Sequence, residues 1–470
     1  MLAQGLACRR TPSVTYVGGR LVGTSATDRS IRDSWTYRLK LGSHCSVNCV
    51  VTAEIAHTES VVSTLPRLIE PMLDRLLQEI PAVMLTGPRA VGKTTLASVR
   101  AASTARLDTQ ADAAAASLDP DAFLKRLTEP ILIDEWQNVP SILPAVKRAV
   151  DDDPRGGRFI LTGSVDAETD PGRWAGTGRI LDVALWGMSV AEREGRGDTS
   201  TFIDRLLDGA TSADDYEGST LAAREYVEIA MQSGFPTAAL RLSGLARQAW
   251  LSSYIDQLVV RDVAELGPRN PALLRRYVEA LALNSAGVVT LATLLSAAGI
   301  NRRTAAAYDG DLQRVYLLDL VEPWFTNRLS RLAKLPKRYL TDAALVPAAL
   351  GLGVDEVVGD PDLVGRVLDT FVCAQLRAQL GTRVPTPRLH HLRDQDGSRE
   401  VDIVLEHAGR LYGFEVKSTA APSTSDARHL RWLADRVGDT FRLGVVFSSN
   451  PHPINLGDRI IGLPISALWG

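Results

Sequence analysis

A glycine-rich segment with the spacing of a phosphate-binding loop lies between an apolar run and a helical pattern. Residues 87–94 fit G-x-x-x-x-G-K-[ST], in which Lys93 and Thr94 form the polar pair. The glycines let backbone amides turn inward around phosphate oxygens, while the lysine bridges the terminal phosphates and the threonine hydroxyl ligates Mg²⁺. The pattern predicts a site for a nucleotide and Mg²⁺. Its residues are Gly87, Pro88, Arg89, Ala90, Val91, Gly92, Lys93, Thr94 and Thr95.

Two adjacent acids follow a second apolar run, about 40 residues after the glycine-rich segment. The run 131–133 predicts a buried parallel strand, and Asp134 and Glu135 stand at its carboxyl end. We expect Asp134 to hold the Mg²⁺ shell and Glu135 to act as the catalytic base that polarises the attacking water.

A polar side chain and an arginine complete the predicted phosphate site. The run 158–161 ends in Thr162, Gly163 and Ser164, so Ser164 is predicted to lie beside the γ-phosphate. Arg179 is a candidate to neutralise charge in the transition state. A helix-capping role for Ser164 and a surface role for Arg179 stay open.

A pair of acids and a lysine recur near the carboxyl terminus. Asp402 lies on one alternating run, Glu415 and Lys417 lie on the next, and a turn containing Gly409 joins the two runs. The arrangement resembles the PD-(D/E)xK nuclease fold, which implies that Asp402 and Glu415 hold a divalent metal while Lys417 activates water. Asp369 is a further candidate acid. A surface ladder of ion pairs is the alternative interpretation.

The middle of the chain has the spacing of a helix-turn-helix. Residues 291–300 predict one helix, and Asn301 is placed to cap a second helix that begins with Arg302 and Arg303. Residues 316–325 are candidates for a wing. Arginines at the start of a recognition helix suit contacts with DNA, and a basic cluster follows at Arg328, Arg331, Lys334, Lys337 and Arg338. A packing or protein-interaction module remains the alternative.

The elements that position these residues alternate between strands and helices, which predicts an α/β fold with a parallel sheet. We expect a helix over 65–80, a strand over 82–86, a helix from 92, a strand near 105–108, a helix over 120–127, a strand over 130–134, a helix over 141–150 and a strand over 158–162. The predicted domains are a poorly ordered extension over 1–60, a P-loop core over 61–195, a helical region over 196–285 with a linker at 195–220, a winged-helix-like segment over 286–355 and a nuclease-like domain over 356–470.

Composition narrows the class of protein further. The 470 residues are 45% hydrophobic and carry a net charge of −3, so the composition is typical of a globular protein and no overall cationic field indicates nucleic-acid binding. Four cysteines are too few for a disulfide scaffold, which favours a reducing cytoplasm. The sequence contains no apolar run long enough for a membrane span, and we expect no membrane partner.

Taken together, residues 65–470 resemble the AAA-type ATPases of prokaryotes that carry a C-terminal domain of unknown function, the AAA_14/DUF4143 group. The segments that carry the resemblance are 85–89, 93–95, 133–137, 161–164, 175–179, 234–236, Tyr254 with Arg261 and Asp262, 400–402 and 415–417. The sequence departs from the group in its long N-terminal extension, in an extra residue within 175–179 and in Asp369, where such proteins commonly carry Glu.

The resemblance implies a P-loop fold that binds ATP and Mg²⁺ and hydrolyses ATP, together with a nuclease-like C-terminal domain. Two functions remain open. One is an ATPase that couples its nucleotide state to DNA or to a protein partner. The other is a nucleotide-switched regulatory protein whose nuclease-like domain is degenerate and non-catalytic. Homo-oligomer formation is also left open.

Overall fold

The computed structural model describes residues 35–41, 45–51, 65–163, 177–263, 267, 269–287, 291–325, 335–394 and 398–470, the first two segments by their backbone alone. The chain divides into two units, Met1–Ser63 and Thr64–Gly470, and each is described by itself. The described part of the first unit is an antiparallel hairpin of β1 (Trp35–Leu41) and β2 (Cys45–Val51), in a stretch where the sequence predicts no regular structure.

The second unit begins with a five-stranded parallel sheet. Its elements are α1 (Glu70–Glu79), β3 (Ala82–Thr86), α2 (Lys93–Ser98), β4 (Ser103–Arg106), α3 (Gln110–Leu118), α4 (Pro120–Lys125), β5 (Ile131–Asp134), α5 (Ile142–Asp152), β6 (Phe159–Thr162) and β7 (Ile180–Ala184). The strands lie in the order β4-β5-β6-β3-β7. Val83 and Leu85 of β3 enter one hydrophobic cluster, whereas Ala82 and Met84 enter another. Both faces of the strand are therefore covered, which explains its continuous apolar run.

This sheet confirms the predicted strands at 82–86, 130–134 and 158–162 and corrects the prediction elsewhere. Helix α1 begins at Glu70 rather than at 65, with Pro71 in its first turn. Strand β4 lies slightly earlier than expected. Helix α3 and strand β7 were not predicted, because a run of alanines has little amphipathic contrast and Asp182 interrupts the apolar pattern of β7.

A mainly helical region follows the sheet. It consists of α6 (Val190–Arg193), α7 (Phe202–Asp208), α8 (Ala223–Ala230), α9 (Pro236–Arg241), α10 (Gly244–Gln257), a π-helical turn (Leu258–Asp262) and α11 (Pro271–Ala282). The linker predicted at 195–220 is wrong in part, because it contains α7. A capping box between Thr201 and Asp204 starts this helix, and its Phe202 ring lies 6.1 Å from Phe414 and 5.5 Å from Phe447 of the C-terminal sheet.

Two helices and a small sheet form the next segment. They are α12 (Leu291–Ala298), α13 (Arg302–Arg314), β8 (Leu318–Val321) and β9 (Lys337–Leu340), followed by α14 (Leu345–Leu350) and α15 (Val354–Val358). The predicted cap is confirmed, since the Asn301 side chain accepts a hydrogen bond from the backbone N–H of Thr304 at 2.9 Å. Strands β8 and β9 pair antiparallel, so part of the expected wing region is a strand.

The carboxyl-terminal part is a six-stranded mixed sheet with a long helix before it. Its elements are α16 (Pro361–Leu380), β10 (Arg388–Arg393), β11 (Glu400–His407), β12 (Arg410–Val416), α17 (Arg428–Val437), β13 (Phe441–Ser448), β14 (Ile454–Gly457) and β15 (Ile460–Pro464). The order is β10-β11-β12-β13-β15-β14, and β13 runs parallel to β12 and β15. Among the described helices, including the 20 residues of α16, none is long and apolar enough to cross a membrane.

Candidate functional site

The glycine-rich loop joins strand β3 to α2, as the sequence predicts. Gly87 has φ of +133° and lies so close to the carbonyl of Leu185 that a Cβ atom would collide with it. Gly92 also has a positive φ, of +96°, directly before α2. Both positions require a residue without a side chain, because the left-handed region and the close approach exclude Cβ. The glycine spacing of the motif therefore has a local structural cause.

Lys93 turns into this loop. Its ammonium donates hydrogen bonds to the carbonyl oxygens of Gly87 at 2.9 Å and Pro88 at 2.8 Å. Burial lowers the pKa of Lys93 to about 8, even though the nearby carboxylates of Glu135 and Asp134 act in the opposite direction. The buried ammonium therefore lies within the loop, where an anionic ligand would favour its charged form.

Three oxygen-bearing side chains converge beside the loop. The hydroxyl of Thr94 donates to Asp134 Oδ1 at 2.9 Å, and the hydroxyl of Thr162 donates to the same oxygen. Asp134 and Thr162 are paired across β5 and β6, so the sheet register fixes this contact. Hydroxyl and carboxylate oxygens are the ligands that Mg²⁺ prefers, and the residues fit that ion. Thr162 was not assigned a role from the sequence, because only the strand pairing shows its position.

Glu135 follows Asp134 in a left-handed conformation, with φ of +54°. Such a conformation is costly for a residue with a side chain, and it turns the chain sharply at the end of β5. The amide of Gln137 donates to Glu135 Oε2. The carboxylate of Glu135 also acts to raise the pKa of Lys93 against the effect of burial.

The other two predicted catalytic residues have different outcomes. Ser164 lies outside the described residues. Arg179 directly precedes β7, whose first residue Ile180 is paired with Ala82, the first residue of β3. The glycine-rich loop follows the opposite end of β3, so the structure does not bring Arg179 to it. Arg179 is exposed and pairs with Asp151 instead, with 2.8 Å between Nε and Oδ1.

The helical region contacts the glycine-rich loop directly. Arg89 forms an ion pair with Asp262 of the π-helical turn, with 2.8 Å between Arg89 Nε and Asp262 Oδ2. The hydroxyl of Tyr254 lies 3.3 Å from the carbonyl oxygen of Arg89. Both partners are among the residues that carry the family resemblance, but the sequence alone does not show that they contact the loop. The loop therefore contacts both α10 and the π-helical turn that follows it.

The C-terminal acids each have an ammonium partner. Lys337 Nζ lies 2.7 Å from Asp369 Oδ2 and 3.2 Å from Asp402 Oδ1, and Lys417 Nζ lies 2.8 Å from Glu415 Oε2. Asp369, Glu415 and Lys337 are buried, and the side chain of Asp402 is 18% exposed. Asp402, Glu415 and Lys417 thus lie together as predicted, but the sequence reasoning placed Lys337 on an exposed basic cluster. That placement is wrong.

These pairings shift the pKa values of the cluster. Burial alone would lower the pKa of Lys337, but Asp369 and Asp402 hold it above its usual value. Burial raises the pKa of Asp369 to about 6, whereas Lys337 outweighs burial at Asp402 and lowers its pKa. Burial, reinforced by the carboxylate of Asp402, raises the pKa of Glu415. Against its own burial, Lys417 also has a raised pKa because of Glu415.

In this arrangement the carboxylates of Asp369 and Asp402 do not fit a divalent metal, whereas Oε1 of Glu415 is buried and accepts no hydrogen bond from the described residues. All four carboxylate oxygens of Asp369 and Asp402 already accept hydrogen bonds, from Lys337, from the hydroxyl of Tyr339 at 3.1 Å and from the backbone N–H of Val416 at 3.0 Å. Within the part of the chain that the structure describes, no group of three or more His, Cys, Asp or Glu side chains is placed to hold a metal ion.

Within the described residues, two arginines of the candidate DNA surface are exposed. Arg302 and Arg303 are exposed at the start of α13. In the basic cluster, Arg338 is buried and pairs with Asp309, with 2.8 Å between Nη2 and Oδ2. Lys337 is buried as well, which corrects the prediction that both residues belong to a basic surface. Arg328, Arg331 and Lys334 lie outside the described residues.

Comparison with known proteins matches three domains along the chain. Residues 79–194 match an AAA domain, residues 223–356 match a domain of unknown function (DUF8612), and residues 364–468 match a domain of unknown function (DUF4143). Uncharacterized proteins of Mycobacterium tuberculosis and Mycobacterium bovis are each 30% identical over 396 residues, which are 83% of this chain and 82% of the relative.

Two solved structures align with this chain at low similarity. A Walker-type ATPase of Pyrococcus abyssi has 14% identity and a TM-score of 0.33, over 60% of this chain and 94% of that chain. Protein VC1899 from Vibrio cholerae has 11% identity and a TM-score of 0.18, over 83% of this chain and 95% of that chain.

Proposed function

The chain belongs to the family of AAA-type P-loop ATPases of the AAA_14/DUF4143 group, and on this premise we propose that it binds ATP with Mg²⁺ and hydrolyses it. The observation that carries the proposal is the convergence of Lys93, Thr94 and Asp134 at the ends of β3 and β5. A buried ammonium and two oxygen ligands are the groups that a nucleoside triphosphate and its metal require.

Each of these residues has a distinct role. Lys93 exchanges the loop carbonyls for phosphate oxygens, because a charged acceptor binds an ammonium more strongly than a neutral one. Thr94 and Asp134 supply oxygen ligands. When bound, Mg²⁺ neutralises charge on the terminal phosphates. Glu135 orients the attacking water and accepts its proton as the new bond to the γ-phosphorus forms and the bond to the bridging oxygen breaks.

Two substitutions test this proposal, with the exposed Lys147 as a matched control. Lys93→Ala should raise the Kd for ATP by about 100-fold or more, because the ammonium contacts phosphate. Glu135→Gln should leave the Kd within about threefold and lower turnover by about 100-fold or more, because the carboxylate acts on water. Lys147→Ala should match the wild type. Equal turnover in wild type and Glu135→Gln would exclude this assignment. ATP binding without turnover in the wild type would favour the nucleotide-switched regulatory protein.

We further propose that the nucleotide state is coupled to the helical region and from there to a macromolecular partner. The ion pair of Arg89 and Asp262 and the contact from Tyr254 support this coupling, because they join the loop to the π-helical turn and to α10. π-Helical turns occur often at functional sites. The partner is DNA or a protein.

The exposed arginines of α13 favour DNA as one candidate partner, since α12, α13, β8 and β9 have the element order of a winged helix. Arg302→Ala with Arg303→Ala should weaken binding to duplex DNA and reduce the salt slope by up to about two. The exposed pair Arg148 and Arg155, both replaced by Ala, is the control and should leave the slope unchanged. If the wild type shows no salt-dependent DNA binding, the segment is a packing or protein-docking module.

A nuclease-like fold remains our proposal for the C-terminal domain. The proposal is supported by the order of the elements, which is helix α16, the antiparallel strands β10 to β12, helix α17 and the parallel strand β13. The pairing of every acid in the cluster with a lysine favours the non-catalytic alternative.

A further inference from the structure

Lys337 reaches the acid cluster from a different sheet. It is the first residue of β9, whereas Asp369 belongs to α16 and Asp402 to β11. Its ammonium meets three oxygens, namely Asp369 Oδ2 at 2.7 Å, Asp402 Oδ1 at 3.2 Å and the carbonyl oxygen of Asp402 at 3.3 Å. An ammonium has three N–H donors, so this cluster satisfies all of them. The side chain is completely buried.

We propose that Lys337 is an internal cation that takes the place of a divalent metal in the C-terminal acid cluster and locks β9 onto the C-terminal domain. Two neighbouring carboxylates that are largely removed from water need a cation, because their mutual repulsion and desolvation would otherwise disfavour folding. Here the cation comes from the chain itself. A metal ion would have to displace the ammonium from Asp369 and Asp402, whose remaining oxygens are held by Tyr339 and Val416.

The two faces of β9 connect this lock to the helix pair. Lys337 and Tyr339 lie on one face and contact Asp369, whereas Arg338 points to the other face and pairs with Asp309 of α13. Asp309 also accepts a hydrogen bond from the hydroxyl of Tyr277 at 2.6 Å. Release of Lys337 would therefore free a strand that holds α13 in place. The lock does not depend on ATP hydrolysis.

Mn²⁺ binding in the absence of nucleotide tests this proposal. Bound Mn²⁺ is measured by the loss of the electron paramagnetic resonance signal of the free ion. Wild type and Asp402→Asn should bind Mn²⁺ equally, because Asp402 is engaged with Lys337. Lys337→Ala should gain about one Mn²⁺ site per chain, at least about tenfold tighter than any site of the wild type, because two acids lose their cation. The double variant Lys337→Ala with Asp402→Asn should lose that site. Mn²⁺ bound near the P-loop contributes equally to all of these proteins, because none of the substitutions changes a P-loop residue.

A wild-type Mn²⁺ site that Asp402→Asn abolishes would overturn the proposal, and so would a Lys337→Ala protein that gains no site dependent on Asp402. Thermal unfolding gives a second readout. With EDTA, Lys337→Ala should melt roughly 5 °C below the wild type, and about 1 mM Mn²⁺ should restore more than half of the loss. Lys147→Ala, at an exposed ion pair, should show neither effect. If Lys337→Ala does not fold, the comparison of wild type with Asp402→Asn decides the question alone.

Discussion

Arg67 contacts the glycine-rich loop and forms an ion pair with Glu192, with 2.9 Å between Arg67 Nε and Glu192 Oε1. The same guanidinium donates to the carbonyl oxygens of Val91 and Trp186, both at 2.8 Å. Arg67 and Glu192 are both buried. A single cation thus ties the loop to the segment that follows β7.

The first prediction is that removal of the Glu192 carboxylate destabilises the folded protein. Glu192→Ala leaves the charge of Arg67 buried without its partner, so the free energy of unfolding should fall by about 3 kcal/mol. Urea titration measures this change. Glu194→Ala is the control, because Glu194 belongs to an exposed pair with Arg196 and should leave the stability nearly unchanged. If Glu192→Ala and Glu194→Ala lower the free energy of unfolding equally, the buried ion pair contributes no more to stability than the exposed one.

The second prediction concerns Thr162, which donates to Asp134 Oδ1 from the neighbouring strand. Thr162→Val keeps the shape but removes a hydrogen bond to a charged group, so the Mg²⁺ concentration for half-maximal turnover should rise about tenfold. The Kd for ATP measured without Mg²⁺ should stay unchanged. Thr104→Val on the exposed face of β4 is the matched control. An unchanged Mg²⁺ requirement in Thr162→Val would separate Thr162 from the metal site.

The third prediction concerns the contact between Arg89 and Asp262. In the wild type, ATP should slow amide hydrogen exchange in residues 250–262, because nucleotide in the loop orders the residues that touch it. Asp262→Asn removes the charge that holds Arg89 and should abolish most of this slowing while ATP still binds. Asp151→Asn, which removes the exposed partner of Arg179, should leave the effect intact. If ATP slows amide exchange in Asp262→Asn as much as in the wild type, the ion pair does not transmit the effect of ATP to residues 250–262.

The candidate phosphate site could be predicted from the sequence because its determinants are contiguous. A loop of eight residues, its flanking strand and the acids at the end of the next apolar run all follow from local patterns. Thr162 and Asp262 could not be found in this way, since strand register and helix packing bring them to the site. The family resemblance marked Asp262 without showing its contact.

The position of Lys337 could not be predicted from the sequence either, because its contacts are distant along the chain. Its partners Asp369 and Asp402 are 32 and 65 residues away along the chain. In the sequence it belongs to a basic run, and such a run predicts an exposed face. Only the pairing of β9 with β8 and the packing of β9 against α16 place the ammonium in the core. The 337–340 strand carries two charged residues, Lys337 and Arg338, and both are buried.

The fourth prediction is a pH dependence of stability caused by His391. This histidine is 1% exposed, and its Nε2 donates to the carbonyl oxygen of Leu335 at 3.1 Å. Burial lowers its pKa from 6.5 to about 3. Below about pH 6.5 the unfolded chain takes up a proton that the folded protein excludes, so the free energy of unfolding falls as the pH falls. Between about pH 7 and about pH 4.5 this residue should account for a loss of about 2 kcal/mol.

His391→Gln isolates that contribution, because glutamine keeps an N–H donor for Leu335 and does not titrate. Urea unfolding at the two pH values should show a smaller loss of stability on acidification in His391→Gln than in the wild type, by about 2 kcal/mol. His452→Gln, at an exposed position, should follow the wild type at both values. Parallel losses in wild type and His391→Gln would mean that His391 takes up its proton in the folded protein, so that the buried ring is not the origin of the acid sensitivity.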